Sequence, residues 1–112
     1  MRTIVVKMWS ARVAGRDVYE DTVVVPVAGT GDLLAVVRRP KSKFWCSVHV
    51  PTGLALNRCH SKRQDAVSAC KAFHAIASVE CPDDYKSADP KWLNSLSHDL
   101  ARRLRAAVYA FV

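Results

Sequence analysis

Residues 44–56 carry the pattern that most limits how this chain can fold. Apolar side chains alternate with others along Phe44-Trp45-Cys46-Ser47-Val48-His49-Val50. A period of two is typical of a β-strand with one buried face. Pro51-Thr52-Gly53 then predicts a short hairpin loop, with Gly53 in the left-handed conformation that side chains resist. In the predicted register Val50 lies opposite Leu54 and Val48 opposite Leu56, so the apolar faces of the two strands agree.

The other face of this hairpin is a candidate binding surface. It carries Trp45, Ser47, His49, Ala55 and Asn57. A tryptophan among small polar groups can contact a partner, because its ring is apolar and its N–H can donate a hydrogen bond. The alternative is that Trp45 packs beneath another segment, since large aromatic side chains are usually mostly buried.

Two helices and three more strands complete the predicted fold. Residues 3–13, 17–27 and 33–37 are strand-like. Ser61 and Gln64 have the spacing of a capping box, before a helix with the stripe Ala66, Ala69, Cys70, Phe73, Ile76 and Ala77. Asp89 and Pro90 predict the start of a final helix, with the stripe Leu93, Leu96, Leu100, Leu104, Ala107, Val108 and Phe111. We therefore expect an α+β fold, an antiparallel sheet of about five strands packed against two helices.

The 112 residues suffice for a single domain with one core. Within it we expect an N-terminal hairpin at 1–31, a basic β-β-β-α unit at 32–78, and a connector with the C-terminal helix at 79–112. No apolar run approaches the ~20 residues of a membrane span, and the first apolar stretch is too short for a signal peptide. We expect a cytoplasmic protein with no membrane partner. The apolar tail at 109–112 either closes the core or forms a homodimer contact.

The positive charge is concentrated in the middle of the chain. Residues 32–78 hold eight basic and two acidic side chains, whereas residues 1–31 hold four and three, and residues 79–112 hold five of each. Most of the formal charge of +7 is therefore local. The candidate phosphate-binding residues are Arg38, Arg39, Lys41, Lys43, Arg58, Lys62 and Arg63. The alternative interpretation is a solvated basic surface without a partner.

No catalytic or metal-binding motif in the sequence is specific enough to predict an enzyme or a cofactor. Cys70 and His74 are four residues apart on a helix, but Cys70 lies within the apolar stripe, where burial makes a thiol unreactive. Cys46, His49, Cys59 and His60 include zinc-type ligands. Strand alternation sends Cys46 and His49 to opposite faces, which a tetrahedral site cannot use.

Several positions in residues 32–78 match a known module. They are Trp45-x-x-Val48-x-Val50, the turn residue Gly53, and Asp65-Ala66 followed by Ala69 and Phe73. With these the segment resembles the three-strand-plus-helix unit of AP2-like domains, including the arm-site-binding domains of some phage-type integrases. That family reads duplex DNA with its sheet, so the resemblance implies contacts by Trp45, Ser47, His49 and Asn57. Cys59-His60 departs from the family, which usually has an aromatic residue before the helix.

These observations favour a small non-enzymatic binding protein. In its compactness it is similar to phage or mobile-element proteins, and its basic hairpin would engage nucleic acid or a nucleic-acid-binding complex. The alternative is a protein-interaction inhibitor or adaptor. There the same hairpin would dock on an acidic partner, or the C-terminal helix would mediate self-association.

Overall fold

A computed structural model describes residues 2–38 and 42–110, without the side chains of Asn57 and Arg58. Its five strands form one antiparallel sheet in the order of the chain. The strands are β1 Ile4–Val13, β2 Arg16–Pro26, β3 Leu34–Arg38, β4 Trp45–His49 and β5 Leu54–His60. The helices are α1 Arg63–Glu80, α2 Pro82–Tyr85, α3 Trp92–Ser95 and α4 His98–Tyr109. The predicted α+β class is confirmed, with two short helices in addition to the two expected.

The first hairpin follows the alternation of its residues. Val13 pairs with Arg16 across a two-residue turn, and both turn residues, Ala14 and Gly15, have positive φ. This is the backbone that matches the twist of the flanking strands. An irregularity between Trp9 and Ala11 shifts the register by one residue. The hairpin beyond this point is largely exposed.

The sheet is covered on both faces, which gives the protein two apolar clusters. The larger cluster joins one face of the sheet to the helices and includes Leu34, Phe73 and Tyr85. The smaller cluster lies among the strands and consists of Val6, Met8, Val24, Ala35, Val37, Cys46 and Val48. The sheet curls so that β1 approaches the β4–β5 turn. There the backbone N–H of Trp9 donates to the Gly53 carbonyl at 2.9 Å.

The β4–β5 hairpin differs from its predicted register. Gly53 has the expected left-handed backbone, with φ of +72°. However, His49 pairs with Leu54 and Val48 with Ala55, one residue away from the prediction. Farther along, Cys46 pairs with Cys59, so three residues of β5 stand opposite the single residue Ser47. Because Ala55 lies opposite Val48, strand alternation turns Leu56 to the other face of the sheet, where it joins the larger cluster with the helices.

Helix α1 has the predicted apolar stripe but a different start. Ala66, Ala69, Cys70, Phe73 and Ala77 are buried along it. The predicted capping box is wrong, because the helix begins at Arg63 with Lys62 in the cap position and no side-chain cap. The stripe fixes the helix against the sheet without that cap.

The predicted final helix is divided into two. Leu96 has an extended backbone and ends α3, and Ser97 then caps α4 by accepting from the Leu100 N–H at 3.2 Å. The predicted cap at Asp89 is therefore wrong for this helix. Leu104 and Val108 bury α4 against the core. The end of the tail, Phe111 and Val112, lies outside the described residues, and self-association through this helix stays a prediction.

Candidate nucleic-acid interface

One end of the sheet gathers residues from four elements. There β3 ends, β4 and α1 begin, and β5 ends. Arg38 pairs with Trp45, and Trp45 pairs with His60, so these three residues form a row across the strands. We call the cationic and aromatic side chains here the basic end, defined by Arg38, Lys43, Phe44, Trp45, Lys62 and Arg63.

Three of the cations of the basic end, Arg38, Lys43 and Arg63, contact neighbouring groups. The Arg38 Nε–H donates to the Ser42 carbonyl at 3.2 Å, and so links the end of β3 to the segment that precedes β4. The Arg63 guanidinium carbon lies 5.8 Å from the centroid of the Trp45 ring, and the Lys43 ammonium lies 5.7 Å from that of Phe44. Both distances are typical of cation–π contacts. They reduce the side-chain freedom that binding a partner would otherwise remove.

Among the described residues, ion pairs neutralise some of the cations of this protein but none of those in the basic end. Among the other described cations, Arg2, Lys7, Arg12, Arg102 and Arg103 each have a carboxylate partner, whereas Arg16, Lys71, Lys86, Lys91 and Arg105 have none within 4.0 Å. Within the part of the chain that the structure describes, no carboxylate is found within 4.0 Å of Arg38, Lys43, Lys62 or Arg63. Their positive charge is therefore available to an anionic partner.

Two of the predicted contact residues are not at the surface. Ser47 and His49 are both 0% exposed, so the prediction that they face a partner is wrong. Helices α1 and α2 cover them. The Ser47 hydroxyl lies 3.4 Å from the Ala66 carbonyl in α1, and the His49 ring stacks on Tyr85 of α2 at 5.6 Å between centroids.

Trp45 occupies an intermediate position between the two interpretations of its role. It is half-buried and packs against the larger apolar cluster, as the packing alternative predicts. Its contact with Arg63 nevertheless places it at the edge of the basic end. The remaining predicted residues cannot be placed: Arg39 and Lys41 lie outside the described residues, as do the side chains of Asn57 and Arg58.

Phe44 is a candidate residue for contact with a partner, and the alternation pattern did not predict it. The period of two places it on the buried face, yet 41% of it is exposed. It precedes the first paired residue of β4, so the sheet does not fix the direction of its side chain. The signal in the sequence is its position directly after the basic turn.

His49 has a structural role instead of a binding one. Its Nε2 lies 2.6 Å from the Tyr85 carbonyl, which can only accept, so Nε2 carries the hydrogen. The neutral ring then accepts at Nδ1 from the Thr52 hydroxyl at 2.8 Å. Burial lowers the pKa of His49 below its ordinary value, against a smaller opposing effect of the Tyr85 carbonyl. The ring thereby joins β4 to its turn and to α2.

The possible cysteine chemistry is constrained by the same packing. Cys70 is 0% exposed, and burial raises the pKa of its thiol to about 11. His74, the candidate base for this thiol, lies with its Nδ1 2.8 Å from the Tyr85 hydroxyl. Among residues 2–38 and 42–110, no three histidine, cysteine or acidic side chains are grouped as metal ligands would be.

Comparisons with protein-family models, curated proteins and solved structures find no match to this chain. The resemblance to AP2-like modules therefore stays a prediction. No helix within the described residues is both long enough and apolar enough to cross a membrane.

Proposed function

We propose that this protein binds nucleic acid through the basic end, mainly by contacts to the phosphate backbone. The observation that carries the proposal is the gathering of Arg38, Lys43, Lys62 and Arg63 at one end of the sheet with no carboxylate partner among the described residues. Basic side chains of this kind supply most of the sequence-independent affinity for DNA or RNA. A cytoplasmic setting belongs to the same proposal.

The burial of Ser47 and His49 favours backbone contacts over base recognition. Sequence-specific binding requires side chains that reach base edges, and these two polar groups are enclosed beneath the helices. Phe44 is the exposed aromatic side chain of the basic end. An exposed ring beside cations can stack on an unpaired base. The proposal is therefore a phosphate-binding surface with little base preference, formed by the end of the sheet rather than by its face.

The salt dependence of binding tests this proposal. We expect the double variant K43Q/K62Q to bind DNA and RNA more weakly than the wild type, because it loses two phosphate contacts. Each contact contributes about 0.9 to the slope of log K against log salt for duplex DNA. The variant slope should therefore be shallower by nearly 2. Fluorescence anisotropy with labelled duplex DNA, single-stranded DNA and RNA over a range of salt concentrations measures it.

The matched control is K86Q/K91Q, which removes the same charge next to Tyr85 and Trp92, the residues that contact His49 at the far end of β4. Lys86 and Lys91 are exposed and flank α2 and α3. This control should keep the wild-type slope. Equal slopes for the two double variants, or no binding by the wild type at low salt, would contradict the proposal. Stoichiometric capture of an acidic protein that survives nuclease treatment, without affinity for nucleic acid, would replace it with docking on an acidic protein surface.

A further inference from the structure

The thiols of Cys46 and Cys59 face each other across two neighbouring strands. The two residues are direct partners in the β4–β5 register, and their sulfur atoms are 2.7 Å apart. Cys46 is 3% exposed and belongs to the smaller apolar cluster, whereas Cys59 is exposed. The pair adjoins the Trp45–His60 row of the basic end.

The backbone at this pair suits a disulfide without rearrangement. Directly opposed residues of an antiparallel pair have Cα atoms about 4.5–5.5 Å apart, and disulfides span about 4.4–6.8 Å. The register shift lies beyond the pair, between Cys46 and Val48, so Cys46 and Cys59 themselves stay aligned. Their sulfur atoms need only a small approach to reach the ~2.05 Å of a covalent bond.

The two sulfur atoms differ in exposure, so they take different roles in a thiol–disulfide exchange with a reagent in solution. A reagent in solution reaches Cys59 first, because Cys46 is enclosed by the strands of the smaller cluster. The other two cysteines are poor competitors. Cys70 and Cys81 are both buried, and burial raises the pKa of each of these thiols, which lowers the fraction present as reactive thiolate.

We propose that Cys46 and Cys59 form a reversible oxidation site that reacts with small-molecule disulfides of the glutathione type. The Cys59 thiolate attacks the small disulfide, forming a mixed disulfide and releasing one small thiol. The Cys46 thiolate then attacks the Cys59 sulfur, which forms the Cys46–Cys59 bond and releases the second small thiol. Two protein thiols are oxidised and one small disulfide is reduced to two thiols, with the protons lost by the cysteines carried by the released thiols.

Incubation of the folded protein with oxidised glutathione, followed by mass spectrometry and peptide mapping, tests the proposal. The wild type should gain one intramolecular disulfide that links Cys46 to Cys59, with no disulfide between two chains. Reduced glutathione should then return it to the dithiol form. C46S should stop at a single glutathione adduct on Cys59, because the resolving thiol is missing. C59S should remain unmodified over the same period.

C70S serves as the matched control and should form the Cys46–Cys59 bond as the wild type does. If a buried serine prevents C46S from folding, peptide mapping of the wild type and of C70S still decides the question. Pairing that includes Cys70 or Cys81, linkage between two chains, or persistence of both thiols at excess oxidised glutathione would overturn the proposal. None of these outcomes depends on nucleic-acid binding, so this site is tested independently of the proposed function.

Discussion

Replacing Gly53 with alanine is expected to destabilise the protein strongly, although the substitution adds only one methyl group. A Cβ atom at this position would lie 1.9 Å from the backbone carbonyl oxygen of Lys7. A backbone atom within a strand cannot move aside as a flexible side chain can. The left-handed backbone, with φ of +72°, adds a further cost for any side chain. We expect a loss of about 3 kcal/mol or more in the free energy of unfolding, from overpacking and strain together.

Gly15→Ala is the matched control for this prediction. Gly15 has a similar φ of +78°, but nothing lies within 4 Å of the position that its Cβ would occupy. The Gly15→Ala variant should therefore lose only the cost of a side chain at positive φ, about 1 kcal/mol of the free energy of unfolding. Urea unfolding of both variants, followed by fluorescence, measures the difference. Equal losses would show that β1 does not approach the β4–β5 turn closely in solution, and that the sheet is less curled than described.

The close approach at Gly53 also shows which part of the fold the sequence could predict. A glycine in a Pro-Thr-Gly loop predicts a turn with positive φ, because that property is local. Nothing within the loop indicates that a strand about 45 residues earlier lies against it. The alternation of apolar residues identified the strands, and the apolar stripe identified α1. The curl that brings β1 to the turn arises from packing between distant segments.

The error at Ser47 and His49 has a similar origin. Alternation separates the two faces of a strand, but it does not reveal whether the second face is covered. Two polar side chains suggested exposure, whereas α2 places Tyr85 over that face. A four-residue helix is too short to produce a periodic signal. Polar residues remain there because hydrogen bonds satisfy them.

The register error arose at the turn, where His49 pairs with Leu54 and the loop has four residues instead of the predicted three. Pairing apolar side chains on one face gave a continuous ladder, with Val48 opposite Leu56. In the observed register Ala55 lies opposite Val48, so strand alternation directs Leu56 to the helices. By contrast, counting charges along the chain requires no register, and it predicted a local excess of cations in residues 32–78. The pairing of Trp45 with His60 sets the start of β4 beside the end of β5, and two residues separate the end of β5 from α1.

Substitutions at His49 provide the second test with a large expected effect. His49→Ala removes a buried ring that contacts both Tyr85 and Trp92, and it leaves the Tyr85 carbonyl without its donor. We expect a loss of about 3 kcal/mol or more in the free energy of unfolding, since the change creates a cavity and an unsatisfied polar group. His49→Gln should lose less, because its amide can still donate. Chemical denaturation at pH 7.5 measures both.

The pH dependence of stability identifies the contribution of the buried ring itself. The pKa of His49 is lowered in the folded state from an ordinary value of 6.5, so below that pH the unfolded chain binds a proton that the folded chain resists. The contribution of the neutral His49 ring to the free energy of unfolding is fully present above pH 6.5, and it is lost as the pH falls toward the pKa of His49 in the folded state. The slope from this residue is at most about 1.4 kcal/mol per pH unit. We expect His49→Gln to lose this slope between pH 6.5 and 5, and His98→Gln, at an exposed position on α4, to keep it. A wild-type slope that survives in His49→Gln would place the responsible proton on another group and contradict the burial of an uncharged ring between β4 and α2.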